Sequence, residues 1–125
     1  MNKYIKNLLT NTGPQILFNK KNFILKPSLQ TTLGYQSFGN KNKNKFFYVI
    51  SRWPTSGFFS NLTFVVGHLR ICKKMGFIPI IDMKNYKTLY NEKHKIFNTY
   101  NAWEYYFEKL NNFTLKEVYQ SKNVF

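Results

Sequence analysis

Residues 46–83 read FFYVISRWPTSGFFSNLTFVVGHLRICKKMGFIPIIDM, and the order of patterns within them decides the fold. A strand-forming run, Phe46 to Ser51, leads into a turn-rich loop, Arg52 to Ser60. A helical pattern spans Asn61 to Met75, Gly76 ends it, and a second strand-like run covers Phe77 to Met83. Strand, loop, helix and strand in that order build a parallel pair joined by a crossover helix. Leu62, Val65, Val66, Leu69 and Cys72 fall at helical spacing and predict one apolar stripe, with Thr63, Gly67, Arg70 and Lys74 opposite. Ser60 is the expected N-cap. Gly76 suits a left-handed C-terminal residue, and Lys73 and Lys74 suit the negative end of the helix dipole. Both flanking runs are short and continuously apolar, as strands covered on two faces are. The expected class is α/β, with a Rossmann-like βαβ unit on a parallel sheet.

The loop and helix start, SGFFSN, draw functional attention. A βαβ unit places the loop after its first strand at the carboxyl edge of the sheet, where open α/β folds bind ligands. A helix N-terminus there carries unpaired N–H groups and favours phosphate. Gly57 leaves room for close approach, and the Asn61 amide can donate or accept. The same features also occur at ordinary loop-to-helix junctions. Neither GxGxxG nor GKS/T is present, so the residues carry no dinucleotide fingerprint and no Walker loop.

The 125 residues predict one folded domain, 46–125, preceded by a less regular arm and loop, 1–45. Hydrophobic content of 43% and aromatic content of 19% argue against disorder. No apolar run approaches the roughly 20 residues that span a bilayer, and MNKYIKNLLTNTG has too short an apolar core for a signal peptide. Cytoplasmic residence is the expectation, with a peripheral place at the inner membrane face as its extension. Cys72 stands alone on the apolar helix face and reads as a core residue. His68 and Cys72 are four residues apart but lack further ligands, so no metal is expected.

The net charge of +14 comes from 17 Lys and 2 Arg against 5 acids, beside 16 Asn. It predicts attraction to phosphate on nucleotides, nucleic acid or anionic lipid. A reader of base sequence would use Arg for bidentate guanine contacts, and AT-rich coding alone favours Lys, Asn, Phe, Tyr and Ile, so no specific nucleic-acid partner is expected. A basic phosphate- or nucleic-acid-binding module without enzymatic activity is the alternative reading.

In the first 45 residues, Tyr4, Ile5, Leu8 and Leu9 suit one side of a short helix. Ile16–Phe18 and Phe23–Leu25 suit edge strands or a wrapping arm, and GYQSFGNKNKNK (34–45) a loop. After Met83, KNYKTLYNEKHKIFNTYN lacks clean periodicity and reads as an extended surface loop with Tyr86, Tyr90, Phe97 and Tyr100 partly exposed. Such aromatics can stack on a sugar or base, or fasten the loop to the domain. NAWEYYFEKL (101–110) predicts a short helix capped by Asn101 with Glu104 at N3, and Trp103, Tyr106, Phe107 and Leu110 on one side. Glu104 and Glu108 read as a solvated face rather than a catalytic pair. TLKEVYQS (114–121) carries a T-x-x-E capping box, with Leu115, Val118 and Tyr119 inward, and KNVF reads as the opening of another strand.

Four blocks together, SGFFSNLTFVVGHLRICKKMGFIPIIDM (56–83), TLYNE (88–92), NAWEYYFEKL (101–110) and TLKEVYQSKNVF (114–125), resemble the N-terminal part of fucosyltransferase-like glycosyltransferases. These are bacterial relatives of the α-1,6- and O-fucosyltransferases. The likeness covers about two thirds of the chain, Phe46 to Phe125. It implies a GT-B architecture of two Rossmann-like domains, of which this chain would supply most of the first, on the acceptor side. It also implies a nucleotide-sugar donor such as GDP-fucose, a glycan acceptor, and no bound cofactor or metal. Carried over by position, the loop from Gly57 to Asn61, with Phe58 and Ser60, would face the cleft, Asp82 would share that edge, and Tyr90, Asn91 and Glu92 would lie near the acceptor. The arginine that such families use for the donor diphosphate belongs to a second domain, encoded separately or further along, and the 125-residue chain is expected to be inactive alone.

Overall fold

The computed structural model of the chain describes residues 34–52 and 55–125. The helix and arm expected before residue 34 lie outside the described residues. Strand β1 (Phe47–Ile50) and strand β2 (Ile78–Ile81) pair in parallel, Phe47 opposite Ile78 and Ile50 opposite Ile81. Helix α1 (Phe58–Met75) connects them. This mixed α/β arrangement is the one the patterns of residues 46–83 predict. The strands are shorter at both ends than the apolar runs that announced them.

Helix α1 buries Asn61, Val65 and Cys72, while Thr63, Gly67, Arg70 and Lys74 face solvent as their spacing requires. Val66 departs from the expected stripe and is exposed. The buried line runs through Asn61, Val65 and Cys72, which turns Val66 outward. Gly76 closes the helix at φ 71°, a left-handed conformation that glycine adopts without a Cβ penalty, and Phe77 N–H returns to Cys72 C=O at 3.1 Å.

The sheet divides the apolar side chains. Ile50, Val65, Ile81, Met83, Ala102 and Trp103 form one cluster, and Phe47, Ile80, Val118 and Val124 another. A third gathers Cys72, Phe77 and Phe125. Alternate residues of β1 and β2 thus serve opposite faces, as a pleated strand covered on both sides must.

Val124 extends the ladder. It bridges Phe47 in parallel, with Phe47 N–H to Asn123 C=O at 3.0 Å and Val49 N–H to Phe125 C=O at 2.8 Å. The strand opening read in KNVF therefore lies on the far side of β1 from β2. Gln36 bridges Val124 in turn, antiparallel, so residues 34–45 do not form a detached loop. Gly39 lies so close to this segment that a Cβ there would stand 2.5 Å from the Gln120 carbonyl oxygen.

Three expectations are revised at residues 101–110: the helix type, its inward side and its cap. Residues 101–110 form a 3-10 turn, Ala102–Tyr105, rather than a short α-helix. Three residues per turn rotate Ala102, Trp103 and Tyr105 inward and leave Tyr106 and Leu110 exposed. Asn101 makes no cap bond there, because its amide is engaged elsewhere. By contrast, helix α2 (Leu115–Val118) begins with the capping box read from T-x-x-E: Thr114 Oγ1 accepts from Glu117 N–H, and Glu117 accepts from Thr114 N–H at 2.8 Å. Those bonds to Thr114 hold the Glu117 carboxyl below its ordinary range. Among the described residues, no helix is long and apolar enough to cross a membrane.

Candidate functional site

The loop after β1 ends at Gly57, which is the N-cap of α1 in extended conformation. The helix therefore starts at Phe58, and not at Asn61 with Ser60 as cap. The displaced cap has a tertiary cause. The Tyr90 phenol oxygen accepts the Phe58 N–H at 2.7 Å, satisfying from 32 residues away one of the free donors of the first turn. A Cβ on Gly57 would lie 3.9 Å from that same phenol, an ordinary contact, so a small side chain fits there.

Arg52, two residues past the end of β1, completes this mouth. Its Nε donates to Ser56 Oγ at 3.0 Å and its Nη1 to Ser60 C=O at 2.8 Å, and its guanidinium lies 4.6 Å from the centre of the Phe64 ring. The amides of Phe59 and Ser60 meet no acceptor among the described residues. A guanidinium and open first-turn amides thus stand together at the carboxyl edge of the parallel pair. Arg52 was not among the residues singled out from the sequence. Its place, one residue past a strand-forming run and ahead of a helix start, was the signal available.

Asn61 is 5% exposed. Its Nδ2 donates to Ser56 C=O at 3.4 Å, and its Oδ1 has no partner. With Phe58, Tyr90, Trp103, Tyr106 and Phe107 it lines a void of about 20 Å³, room for about one water molecule. Phe58 is the hub of the aromatic packing, with Tyr90 at 5.8 Å, Tyr106 at 5.1 Å and Phe107 at 6.3 Å between ring centres. Phe59 projects beyond, 78% exposed.

Asp82 lies at the same edge, 0% exposed. Its Oδ1 accepts from Lys84 N–H at 3.1 Å and Asn85 N–H at 2.9 Å, and its Oδ2 from Asn85 Nδ2 at 2.8 Å and the Tyr119 hydroxyl at 2.7 Å. Burial, then this bond, pushes the Tyr119 phenol above its ordinary range. With four donors taken, the carboxylate shapes the turn after β2. Asn91 braces the next turn. Its Oδ1 accepts from Thr88 N–H and Thr88 Oγ1, and its Nδ2 donates to Met83 and Tyr100 carbonyls. The structure thus gathers Gly57, Phe58, Asn61 and Tyr90 at one mouth, leaves Ser60 exposed on its rim, and uses Asp82 and Asn91 to hold the loop that presents Tyr90.

A second polar pair lies under α1. The Tyr48 hydroxyl and His68 Nδ1 are 2.8 Å apart. Burial pushes the Tyr48 phenol up to about 12 and, with Arg52 nearby, pulls His68 below the ordinary imidazole range. Cys72, 1% exposed, is raised to about 12 by burial, so its thiol stays protonated and serves the core. Among the described residues, no group of three or more His, Cys, Asp or Glu side chains is placed to hold a metal ion.

No family model matches this chain, and neither a curated protein nor a solved structure does.

Proposed function

We propose that this chain is the acceptor-side part of a sugar transferase, its βαβ unit belonging to the first Rossmann-like domain of a GT-B architecture. The observation that carries the reading is the mouth of α1. Gly57, Phe58, Asn61 and Tyr90 meet there at the carboxyl edge of a parallel strand pair, with Arg52 and open amides beside them. Open amides and a guanidinium suit the hydroxyls or phosphate of a sugar ligand, and the exposed Phe59 ring suits the apolar face of a pyranose. Asp82 and Asn91 act in this reading by positioning the Tyr90 loop. The four-block resemblance supplies the remainder: fucosyl transfer in surface-glycan synthesis, GDP-fucose as donor, and a donor-binding half outside these residues. Work on the cytoplasmic face of the membrane follows from such a donor, and a charge of +14 draws the chain toward anionic lipid.

A glycan array probed with the labelled chain tests this. The wild type is expected to bind a defined subset of oligosaccharides, and Gly57→Trp, which covers the mouth, to lose them. No glycan bound, or undiminished binding by Gly57→Trp, contradicts the reading.

A second reading is a polyanion-binding module. Its observation is the lysine excess beside exposed aromatics, with Lys95 Nζ 5.7 Å from the centre of the Tyr100 ring. It requires RNA or DNA binding at roughly 50 mM salt that falls steeply as salt rises. Absence of binding at that ionic strength removes it.

A further inference from the structure

The outer edge of β2 faces a cleft of about 260 Å³ whose floor includes Pro79, Ile80 and Ile81. The edge itself is closed to another strand. Asn101 Nδ2 donates to Ile81 C=O at 2.8 Å, its Oδ1 accepts from Met83 N–H at 3.1 Å, and Asn111 Nδ2 donates to Pro79 C=O at 2.8 Å. Two side-chain amides thus stand in for a neighbouring backbone, and Pro79 has no N–H to offer. What remains is a concavity fit for a small molecule.

Its charge is one-sided. Lys84, Lys109 and Lys116 line it from three separate segments, and Glu104 is the one carboxylate among the lining residues. Glu104 Oε1 is itself drawn toward Asn101 Nδ2, 3.5 Å away. Three exposed lysines along one hollow give it a positive potential, and lysine binds phosphate as a point charge. The wall adds Phe113 and Trp103, whose indole N–H has no partner. We infer that this cleft binds a small phosphorylated compound of sugar-phosphate size, the phosphate toward the lysines and the apolar body against Trp103 and Phe113. The inference rests on the cleft and not on the transferase reading, since Gly57 and Phe58 lie outside its lining.

The test is a titration of the full ¹⁵N-labelled chain, followed by amide chemical shifts, with glucose 1-phosphate, inorganic phosphate and neutral glucose in turn. Saturable shifts at Ile80, Asn101 and Asn111 are expected with glucose 1-phosphate. Weaker ones at the same amides are expected with phosphate, and none with glucose. The exposed pair K109Q/K116Q should weaken glucose 1-phosphate binding by about tenfold or more. K73Q/K74Q, a control pair on α1 away from the cleft, should leave it unchanged, and each variant's free spectrum reports its fold. The inference is overturned by the absence of saturable shifts up to about 10 mM ligand. It is equally overturned by equal binding of glucose, by shifts centred on Gly57 and Phe58, or by equal weakening in both lysine pairs.

Discussion

Phe97 sits at φ 47° and Asn98 at φ 63°, between Ile96 and Thr99, which exchange both backbone hydrogen bonds at 3.0 Å. Positive φ at both central positions makes a tight primed turn, which favours Asn and Gly and penalises an aromatic side chain. The Phe97 ring recovers little by burial, being 83% exposed. Phe97→Asn is therefore expected to raise unfolding stability by about 1 kcal/mol in urea titration; a fall in stability would contradict this account of the turn. His68 carries a second residue-scale expectation. Its imidazole lies below the ordinary value of 6.5, first through burial and then through Arg52. A group whose folded pKa is depressed stabilises the fold fully above its unfolded value and loses that contribution as pH falls toward the folded one. Thermal stability of the wild type should therefore decline as pH drops below 6.5. The decline should be shallower in His68→Gln, and identical slopes in the two proteins would dismiss the effect.

At the scale of elements, Asn101 makes two of the three side-chain hydrogen bonds that close the edge of β2, and Asn111 the third. Removing the Asn101 amide leaves the Ile81 carbonyl and the Met83 N–H without partners in a buried place. Asn101→Ala is expected to cost about 1–3 kcal/mol, measured by urea unfolding. A cost near zero would show that water replaces the amide. This role explains why the sequence misled at residues 101–110. Asn, then Glu three residues later, has the form of a capping box, but tertiary demand from β2 takes the Asn and a 3-10 turn results. Where capping is local, as at Thr114 and Glu117, the pattern reads correctly. The strand–helix–strand order of residues 46–83 was legible for the same reason, since strand runs, helical spacing and Gly76 act through near neighbours. The start of α1 was not, because its acceptor comes from Tyr90 in another loop. Gly57, Phe58 and Asn61 could be named from their place before a helix. Arg52 could have been added on the same ground, whereas the occupied carboxylate of Asp82 becomes visible only once Asn85 and Tyr119 are in place.

Across the whole molecule, three parallel positions, Val124, β1 and β2, set the loop after β1 at the centre of the sheet's carboxyl edge. That placement brings Arg52, the mouth of α1 and the Tyr90 loop to one surface, while the lysine-lined cleft occupies the outer side of β2. Trp103 lines both the α1 void and the cleft. In the transferase reading, the purified chain given GDP-fucose and a glycan acceptor transfers no sugar alone, and measurable turnover by it would refute the division into acceptor and donor halves. The most direct test of the central claim is the amide spectrum of the ¹⁵N-labelled chain with the glycan selected on the array. The account predicts shifts confined to Gly57, Phe58, Phe59, Ser60, Asn61 and Tyr90. Shifts scattered over the lysine-bearing surface, or an unchanged spectrum, would contradict it.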